Sequence, residues 1–273
     1  MPDLQIRRLL GLTDGSFLQQ LRGQPWYQGQ IVHVELIEAK TAQYGAVDHL
    51  IPASLLRQLS NRQILPIYRH QADAISELND GKNVVLATSG ASGKNLCYQI
   101  PAVASVIQHQ RNRSLFLYPT KALAQDQLRS LEGIIPPELD FQSAIYDGDT
   151  PPKMRGTARQ GVHALLTNPD MLHLGILPNH RLWASLFRSL RYVLIDEAHV
   201  YSGVFGSHMA EIIRRLRRIA ARYGASPQFI LCSATIANPE ELASVLVGLP
   251  FRAITLDAAP SGAKKFAFGI RRS

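Results

Sequence analysis

The stretch Leu190–His199 reads Leu-Arg-Tyr-Val-Leu-Ile-Asp-Glu-Ala-His. Within it, Tyr192–Ile195 is a short apolar run with aromatic and β-branched residues, which is typical of a strand buried on both faces of a parallel sheet. Two carboxylates, Asp196 and Glu197, follow directly. Because open α/β sheets bind ligands beyond the carboxyl ends of their strands, the pattern predicts two negative charges at a ligand-binding edge. The alternative interpretation is a strand followed by an acidic helix N-terminus.

A second strand, loop and helix precede this stretch. Asn83–Ala87 predicts a strand, and the apolar residues from Leu96 to Ile107 predict a helix. The loop between them consists of Thr88, Ser89, Gly90, Ala91, Ser92, Gly93, Lys94 and Asn95. Small residues let backbone N–H groups approach phosphates, a helix N-terminus favours negative charge, and Lys94 would reach the β- and γ-phosphates. We therefore predict a phosphate-binding loop, with a glycine-rich turn into a helix as the alternative.

This loop departs from the strict phosphate-loop pattern in two places. Thr88 stands where the pattern has its first glycine. Asn95 stands where a serine or threonine would place its hydroxyl on magnesium.

Polar residues also lie at the ends of two further predicted strands, Ser114–Tyr118 and Val162–Thr167. Their hydroxyl, amide and ammonium groups could hold a phosphodiester backbone. These residues are Thr120, Lys121, Gln127, Thr167 and Asn168. Each signal is weak alone, because threonine and asparagine are also ordinary helix caps. Upstream, Gln71 lies on a predicted helix, and its amide could pair with N6 and N7 of adenine; a helix-surface glutamine is the alternative.

Strands alternate with helices from Gly81 to Leu256, and this order predicts an α/β fold with a doubly wound parallel sheet flanked by helices. Gln228–Cys232 is a predicted strand that ends in Ser233-Ala-Thr235. A helix is predicted from about Met209 to Tyr223; its arginines form a solvated face, with nucleic-acid contact as the alternative. The predicted domains are an N-terminal appendage over 1–60, the α/β domain over 61–258 and a tail over 259–273.

Composition narrows the class of protein. The 273 residues are 46% hydrophobic and carry a formal net charge of +8, so we expect a packed core and a polyanionic partner. Cys97 and Cys232 lie among apolar residues without metal-ligand spacing, which predicts buried thiols in a reducing compartment. No apolar run approaches the ~20 residues of a membrane span, and Met1–Arg7 lacks a signal-peptide core. We expect a cytoplasmic protein.

Taken in order, the motifs resemble those of a known family. They are Gln71, Gly-Ala-Ser-Gly-Lys94, Pro119-Thr-Lys-Ala-Leu123, Thr167-Asn-Pro-Asp170, Asp196-Glu-Ala-His199 and Ser233-Ala-Thr235. The chain resembles the first RecA-like motor domain, a P-loop NTPase fold, of a superfamily 2 DEAD/DEAH-box helicase. Tyr98-Gln-Ile-Pro101 and Tyr201–His208 are similar to the RecQ4-like branch of bacterial DNA-repair helicases.

The resemblance implies ATP hydrolysis coupled to movement along single-stranded nucleic acid, expected to be DNA. It implies that Lys94 holds the β- and γ-phosphates, that Asp196 binds Mg²⁺ through water and that Glu197 polarises the attacking water. The other implied roles are adenine recognition by Gln71, backbone contact by Thr120, Lys121 and Thr167, and coupling of the nucleotide state to the nucleic-acid site by Ser233, Thr235 and His199. ATP and Mg²⁺ are the implied cofactors, and Asn95 would be the second metal-binding residue.

Two departures from the family leave two functions open. Asn95 removes the expected magnesium hydroxyl, and the second RecA-like domain, which supplies arginine fingers, does not follow in this chain. We expect a truncated or frameshifted product, or one half of a split gene, and a second RecA-like domain that acts in trans is a candidate partner. The first hypothesis is the motor domain of an ATP-hydrolysing helicase. The second is a catalytically impaired fragment that binds nucleotide and nucleic acid. A different P-loop ATPase is disfavoured by Ser233-Ala-Thr235.

Overall fold

The computed structural model describes residues 16–90 and 92–269. Ala91, part of the predicted phosphate loop, and the final residues of the predicted tail lie outside the described residues. The described chain forms two compact units. The smaller unit comprises residues 16–41 and 260–269, and the larger unit is Ala42–Ala259.

The smaller unit contains one helix and a two-stranded sheet. Helix α1 is Ser16–Arg22, and strand β1 (Ile31–Ile37) pairs antiparallel with strand β9 (Lys264–Gly269). Strand β1 lies within the predicted N-terminal appendage. Its partner was not predicted, because the two strands are separated by almost the whole chain and no local pattern specifies their pairing.

The larger unit is built on a seven-stranded parallel sheet. The strands are β2 (Asn83–Ala87), β3 (Arg113–Leu117), β4 (Ser143–Ile145), β5 (Ala164–Thr167), β6 (Leu190–Ile195), β7 (Gln228–Ser233) and β8 (Phe251–Ile254). Their order across the sheet is β4-β5-β3-β6-β7-β2-β8, and all neighbours are parallel. This confirms the predicted doubly wound sheet. Strand β6, which is followed directly by Asp196 and Glu197, lies at its centre.

Helices cover both faces of this sheet. They are α2 (Ala53–Asn61), α3 (Arg69–Asn79), α4 (Leu96–Gln108), α5 (Lys121–Ile134), α6 (Pro152–Gly161), α7 (Pro169–Met171), α8 (Ala184–Arg188), α9 (Gly203–Arg222) and α10 (Pro239–Val247). Alternate strand residues enter different cores: Leu194 packs in the cluster with α2 to α5, whereas Val193 packs in the cluster with α6 to α10. Because successive side chains of a strand point to opposite faces of the sheet, the domain has one apolar layer on each face. Cys97 and Cys232 are both buried, as predicted.

Two boundaries differ from the sequence expectation. The compact unit begins at Ala42, ahead of the predicted domain start at residue 61, because Leu55 and Leu59 of α2 are fully buried in the first core. Helix α9 begins at Gly203 rather than Met209. From the sequence, Gly203 and Gly206 are typical of a loop. In the structure Gly206 is required by close packing, because a Cβ there would lie 2.6 Å from the carbonyl oxygen of Tyr201.

None of the helices in the described ranges combines the length and the hydropathy that a membrane crossing requires.

The central position of β6 predicts that its core side chains carry much of the stability. Leu194→Ala should lower the free energy of unfolding by about 3 kcal/mol, because it leaves a cavity in a core where Leu194 is 0% exposed. Leu174→Ala is the matched control, since Leu174 is 71% exposed and its truncation should cost under about 0.5 kcal/mol. Urea denaturation measures both, and equal losses would contradict this account of the core.

Candidate functional site

Three predicted motifs lie together at one edge of the sheet. Strands β6, β7 and β2 are neighbours and run parallel, so their carboxyl ends meet at the same edge. Asp196 and Glu197 follow β6, Ser233 ends β7, and the predicted phosphate loop follows β2. The fold thus brings together residues that are up to 145 positions apart in the chain, from Thr88 to Ser233.

Lys94 joins two of these strand ends. Its Nζ donates hydrogen bonds to the carbonyl oxygens of Thr88 at 2.8 Å, Ser89 at 3.0 Å and Ser233 at 3.2 Å. The ammonium group therefore lies between the loop after β2 and the end of β7. Lys94 also lies near enough to Asp196 to favour the ionised form of that carboxylate.

The loop around Lys94 is held by its own small residues. Gly93 adopts a positive φ of 74°, and a Cβ there would lie 2.8 Å from Nε2 of Gln71, so backbone conformation and space both require glycine. The hydroxyls of Thr88 and Ser92 are 2.7 Å apart, and both residues are buried. Thr88, where the strict pattern has glycine, therefore stabilises this loop by pairing with Ser92.

Gln71 is buried against the same loop. Its Nε2 donates to the carbonyl oxygen of Gly93 at 3.0 Å, and its Oε1 accepts from the backbone N–H of Tyr68 at 2.9 Å. Both ends of the amide thus have protein partners that fix the start of α3 to the loop. The adenine contact predicted for Gln71 stays a prediction.

Asp196 and Glu197 occupy different environments at the end of β6. Asp196 is buried, and this desolvation raises the pKa of its carboxyl to about 6, while the backbone N–H of Glu197 partly offsets the rise by donating to Oδ1 at 2.9 Å. Glu197 is more exposed and adopts a left-handed backbone with φ of 51°. Such a backbone conformation is costly for residues other than glycine.

His199 links the ends of β6 and β7. Its Nδ1 lies 3.3 Å from the backbone nitrogen of Ala234 and 3.3 Å from Oε2 of Glu197. Nδ1 accepts from the N–H of Ala234 when the ring carries its proton on Nε2, and it would donate to Glu197 when Nδ1 itself carries a proton. Among the described residues, the buried hydroxyl of Ser233 has no hydrogen-bond partner, and Thr235 is exposed. The predicted coupling residues therefore lie beside one another.

The predicted nucleic-acid residues lie on the other side of β6, at the ends of β3 and β5. Thr120 and Lys121 are exposed at the start of α5. The Thr120 hydroxyl accepts from the backbone N–H of Leu123 at 3.3 Å and caps the helix. Lys121 forms an ion pair with Asp149, and this hydrogen bond raises the pKa of the lysine. Both side chains remain at the surface where a phosphodiester could reach them.

The residues at the end of β5 are more enclosed. Thr167 is buried, and its hydroxyl donates to the carbonyl oxygen of Tyr146 at 2.5 Å. Asn168 caps α7, because its Oδ1 accepts from the backbone N–H of Met171 at 2.8 Å. Their predicted phosphate contacts would compete with these interactions and stay predictions.

Two further predicted residues point toward protein partners. Gln127 accepts a hydrogen bond from the hydroxyl of Tyr98 at 2.9 Å. Asn95 donates from Nδ2 to the hydroxyl of Ser130 at 2.7 Å. Ser130 was not predicted, since a polar residue on a helix gives no signal of its partner in another element.

His70 and Asp257 also support the phosphate loop and were missed from the sequence. His70 is fully buried; its Nε2 lies 2.9 Å from the carbonyl oxygen of Ser92, and its Nδ1 accepts from the backbone N–H of Ala258 at 3.3 Å. Asp257 accepts a hydrogen bond from the hydroxyl of Ser89. These contacts tie the loop to the segment after β8. The only sequence signal is that His70 precedes Gln71.

Comparison with known proteins places the chain in a family. Residues 68–242 match the DEAD/DEAH box helicase family, and the chain belongs to that family. It is 47% identical over 239 residues to the ATP-dependent helicase YprA of Bacillus subtilis, and 41% identical over 259 residues to the ATP-dependent helicase hrq1 of Schizosaccharomyces pombe. These alignments cover 87% and 92% of this chain but 32% and 24% of the relatives.

A solved structure agrees with this assignment. The DUF1998 helicase MrfA bound to DNA and AMPPNP superposes with a TM-score of 0.87 at 43% identity, over 94% of this chain and 36% of that chain. The chain thus spans about a third or less of the relatives' length.

Burial of His70 makes stability depend on pH. Desolvation lowers the pKa of His70 below 6.5 in the folded protein, so the unfolded state binds more protons as the pH falls. The stability that neutral His70 provides is fully present above pH 6.5 and is lost as the pH falls through the folded-state pKa. Over that range the free energy of unfolding changes by at most ~1.4 kcal/mol per pH unit. His70→Asn should therefore lose less stability than wild type between pH 7.5 and pH 5.5.

Urea denaturation across this pH range measures the difference between variant and wild type. His109→Asn is the matched control, because His109 is exposed and its removal should leave the pH slope unchanged. An equal slope in wild type and His70→Asn would contradict the role assigned to burial.

Proposed function

We propose that the chain is the first motor domain of an ATP-dependent helicase, which binds ATP with Mg²⁺ and the backbone of single-stranded DNA. The observation that carries the proposal is the position of Lys94 between the phosphate loop and Ser233, with Asp196 and Glu197 at the next strand end. The family assignment and the likeness to a helicase bound to DNA and AMPPNP support it.

The nucleotide would bind on the loop from Thr88 to Asn95. Lys94 would donate to the β- and γ-phosphates instead of its present carbonyl partners, because charged phosphate oxygens are stronger acceptors than neutral carbonyl oxygens. The N-terminus of α4 adds backbone N–H groups and a favourable dipole. Glu197 would accept a proton from the attacking water, which suits a carboxylate that is partly exposed just after the end of β6.

The site also fits magnesium. Among the described residues, no cluster of three or more histidine, cysteine, aspartate or glutamate side chains could enclose a metal ion. Magnesium often binds through one or two carboxylates together with phosphates and water, and the buried carboxylate of Asp196 suits that arrangement. Asp196 and the amide oxygen of Asn95 would hold the ion. When bound, Mg²⁺ neutralises charge on the phosphates.

The strand would lie along the ends of β3 and β5. Lys121 supplies a positive charge and Thr120 a hydroxyl at the surface. Thr167 and Asn168 would contact the strand after their present hydrogen bonds to Tyr146 and Met171 break. DNA is favoured because the similar structure contains DNA, and a role in DNA repair belongs to the same proposal. A second RecA-like domain would complete the ATP site, in trans if it is a separate chain, and the two free buried thiols fit a cytoplasmic location.

Two substitutions separate binding from chemistry. Lys94→Ala should weaken binding of a fluorescent ATP analogue by at least about tenfold, because a charge-assisted contact is lost. Glu197→Gln should keep nucleotide binding but lower DNA-stimulated ATP hydrolysis by about 100-fold or more. The exposed Lys153→Ala is the matched control for Lys94 and should bind and hydrolyse ATP like wild type. Unchanged nucleotide affinity in Lys94→Ala would contradict the proposal.

A second function rests on Asn95, whose Nδ2 is committed to Ser130. If the amide is a poor substitute for a magnesium hydroxyl, the chain binds nucleotide and DNA with little turnover. Asn95→Ser then restores the hydroxyl and should raise the rate of ATP hydrolysis without a large change in ATP affinity. Steady-state hydrolysis with and without single-stranded DNA measures this, and an unchanged rate would rule out impairment by Asn95.

A further inference from the structure

A continuous set of side-chain hydrogen bonds runs between α4, α5 and the end of β3. We name it the Asn95–Tyr118 network; its members are Asn95, Ser130, Gln99, Gln127, Tyr98 and Tyr118. It connects the phosphate loop, at one side of the site, with the residue that precedes Pro119 and Thr120 at the other side.

The half of the network near the phosphate loop joins α4 to α5. Nδ2 of Asn95 donates to the Ser130 hydroxyl at 2.7 Å, and that hydroxyl donates to Oε1 of Gln99 at 3.2 Å. Nε2 of Gln99, which is fully buried, donates to Oε1 of Gln127 at 3.2 Å. Ser130 and Gln99 each accept one hydrogen bond and donate the next, so the donors run in one direction from Asn95 to Gln127.

The other half joins α5 to the end of β3. The Tyr98 hydroxyl donates to Oε1 of Gln127 at 2.9 Å, and the hydroxyls of Tyr98 and Tyr118 are 3.3 Å apart. Because the proton of Tyr98 points to Gln127, Tyr118 is the donor in that pair. Burial raises the pKa of both tyrosines well above the ordinary value, so both hydroxyls stay protonated and able to donate.

Burial makes the links through Tyr98, Tyr118 and Gln99 costly to break. Tyr98, Tyr118 and Gln99 are each 1% exposed or less, so a broken link leaves a polar group without water to replace its partner. Asn95 and Ser130 are half-buried, and their hydrogen bond joins this buried segment to the phosphate loop. Ser130 and Gln127 lie on α5, which is a 14-residue helix that begins at Lys121, so a shift of this helix also moves the surface lysine.

We propose that the Asn95–Tyr118 network couples the nucleotide site to the nucleic-acid site, so that nucleotide bound at the phosphate loop changes the affinity for a single strand. Nδ2 of Asn95 then positions Ser130, while its amide oxygen keeps the magnesium role proposed above. The Asn95 amide donates to Ser130 from the position where the family pattern has a hydroxyl. The proposal rests on the function proposed above and adds a route between its two ligands.

The coupling factor is the measurable quantity. It is the ratio of the dissociation constants for a fluorescein-labelled oligothymidylate without and with saturating AMP-PNP and Mg²⁺, measured by fluorescence anisotropy on the full chain. Wild type should show a factor of about five or more in either direction. Ser130→Ala and Tyr98→Phe break the network at different links, and each should bring the factor toward one by about threefold or more.

Three controls separate coupling from damage to the fold. Ser105→Ala removes a hydroxyl that donates only within α4, to the carbonyl oxygen of Ala102, and should keep the wild-type factor. Each network variant should bind AMP-PNP alone and oligothymidylate alone within about twofold of wild type, because neither residue is assigned to a ligand. The double variant should lose no more coupling than the stronger single variant, as expected for links in one series.

The outcomes are distinct. A wild-type factor of one with both ligands bound, or a factor unchanged in Ser130→Ala and Tyr98→Phe, would overturn the coupling while leaving the proposed function intact. Failure of wild type to bind either ligand alone would overturn the proposed function and the coupling together.

Discussion

Seven parallel strands end at one edge of the sheet, and this constraint organises the molecule. Strand β6 lies at the centre, with β7 and β2 on one side and β3 and β5 on the other. The motifs of the proposed nucleotide site follow β6, β7 and β2, whereas the proposed strand-binding residues follow β3 and β5. Asp196 and Glu197, at the end of β6, therefore lie between the two halves. A change of strand order would separate these residues even if every local motif were kept.

The surrounding fold stabilises the charged side chains and the strained backbone at this edge of the sheet. The ammonium of Lys94 is surrounded by three carbonyl oxygens, while burial raises the pKa of Asp196 to about 6. Glu197 keeps a left-handed backbone that costs on the order of 1 kcal/mol or more. Perturbed groups and strained backbone are typical of functional sites, where ligand binding and catalysis use them. The apolar layers on both faces of the sheet stabilise the domain enough to maintain this arrangement.

Sequence reasoning succeeded where the signal was local. Strand β2 was predicted at Asn83–Ala87 as observed, and the core of β6 followed from its apolar run. The phosphate loop was predicted from residue sizes and one lysine, and the structure joins that lysine to the end of β7. Long-range partners were not predictable: nothing near Asn95 indicates Ser130, and nothing near His70 indicates Ala258. Thr167 was predicted to contact a phosphate from its place at a strand end, and nothing in the sequence indicated that its hydroxyl donates to the carbonyl oxygen of Tyr146. Such contacts depend on how helices pack over the sheet, which residue types alone do not specify.

The division of this edge into two binding halves is the central claim, and hydrogen–deuterium exchange with each ligand tests it most directly. AMP-PNP with Mg²⁺ should slow exchange in peptides that contain Lys94, Glu197 and Thr235. Oligothymidylate should slow exchange in peptides that contain Lys121 and Asn168. Protection by both ligands in the same peptides only, or protection confined to the opposite edge of the sheet, would contradict the account.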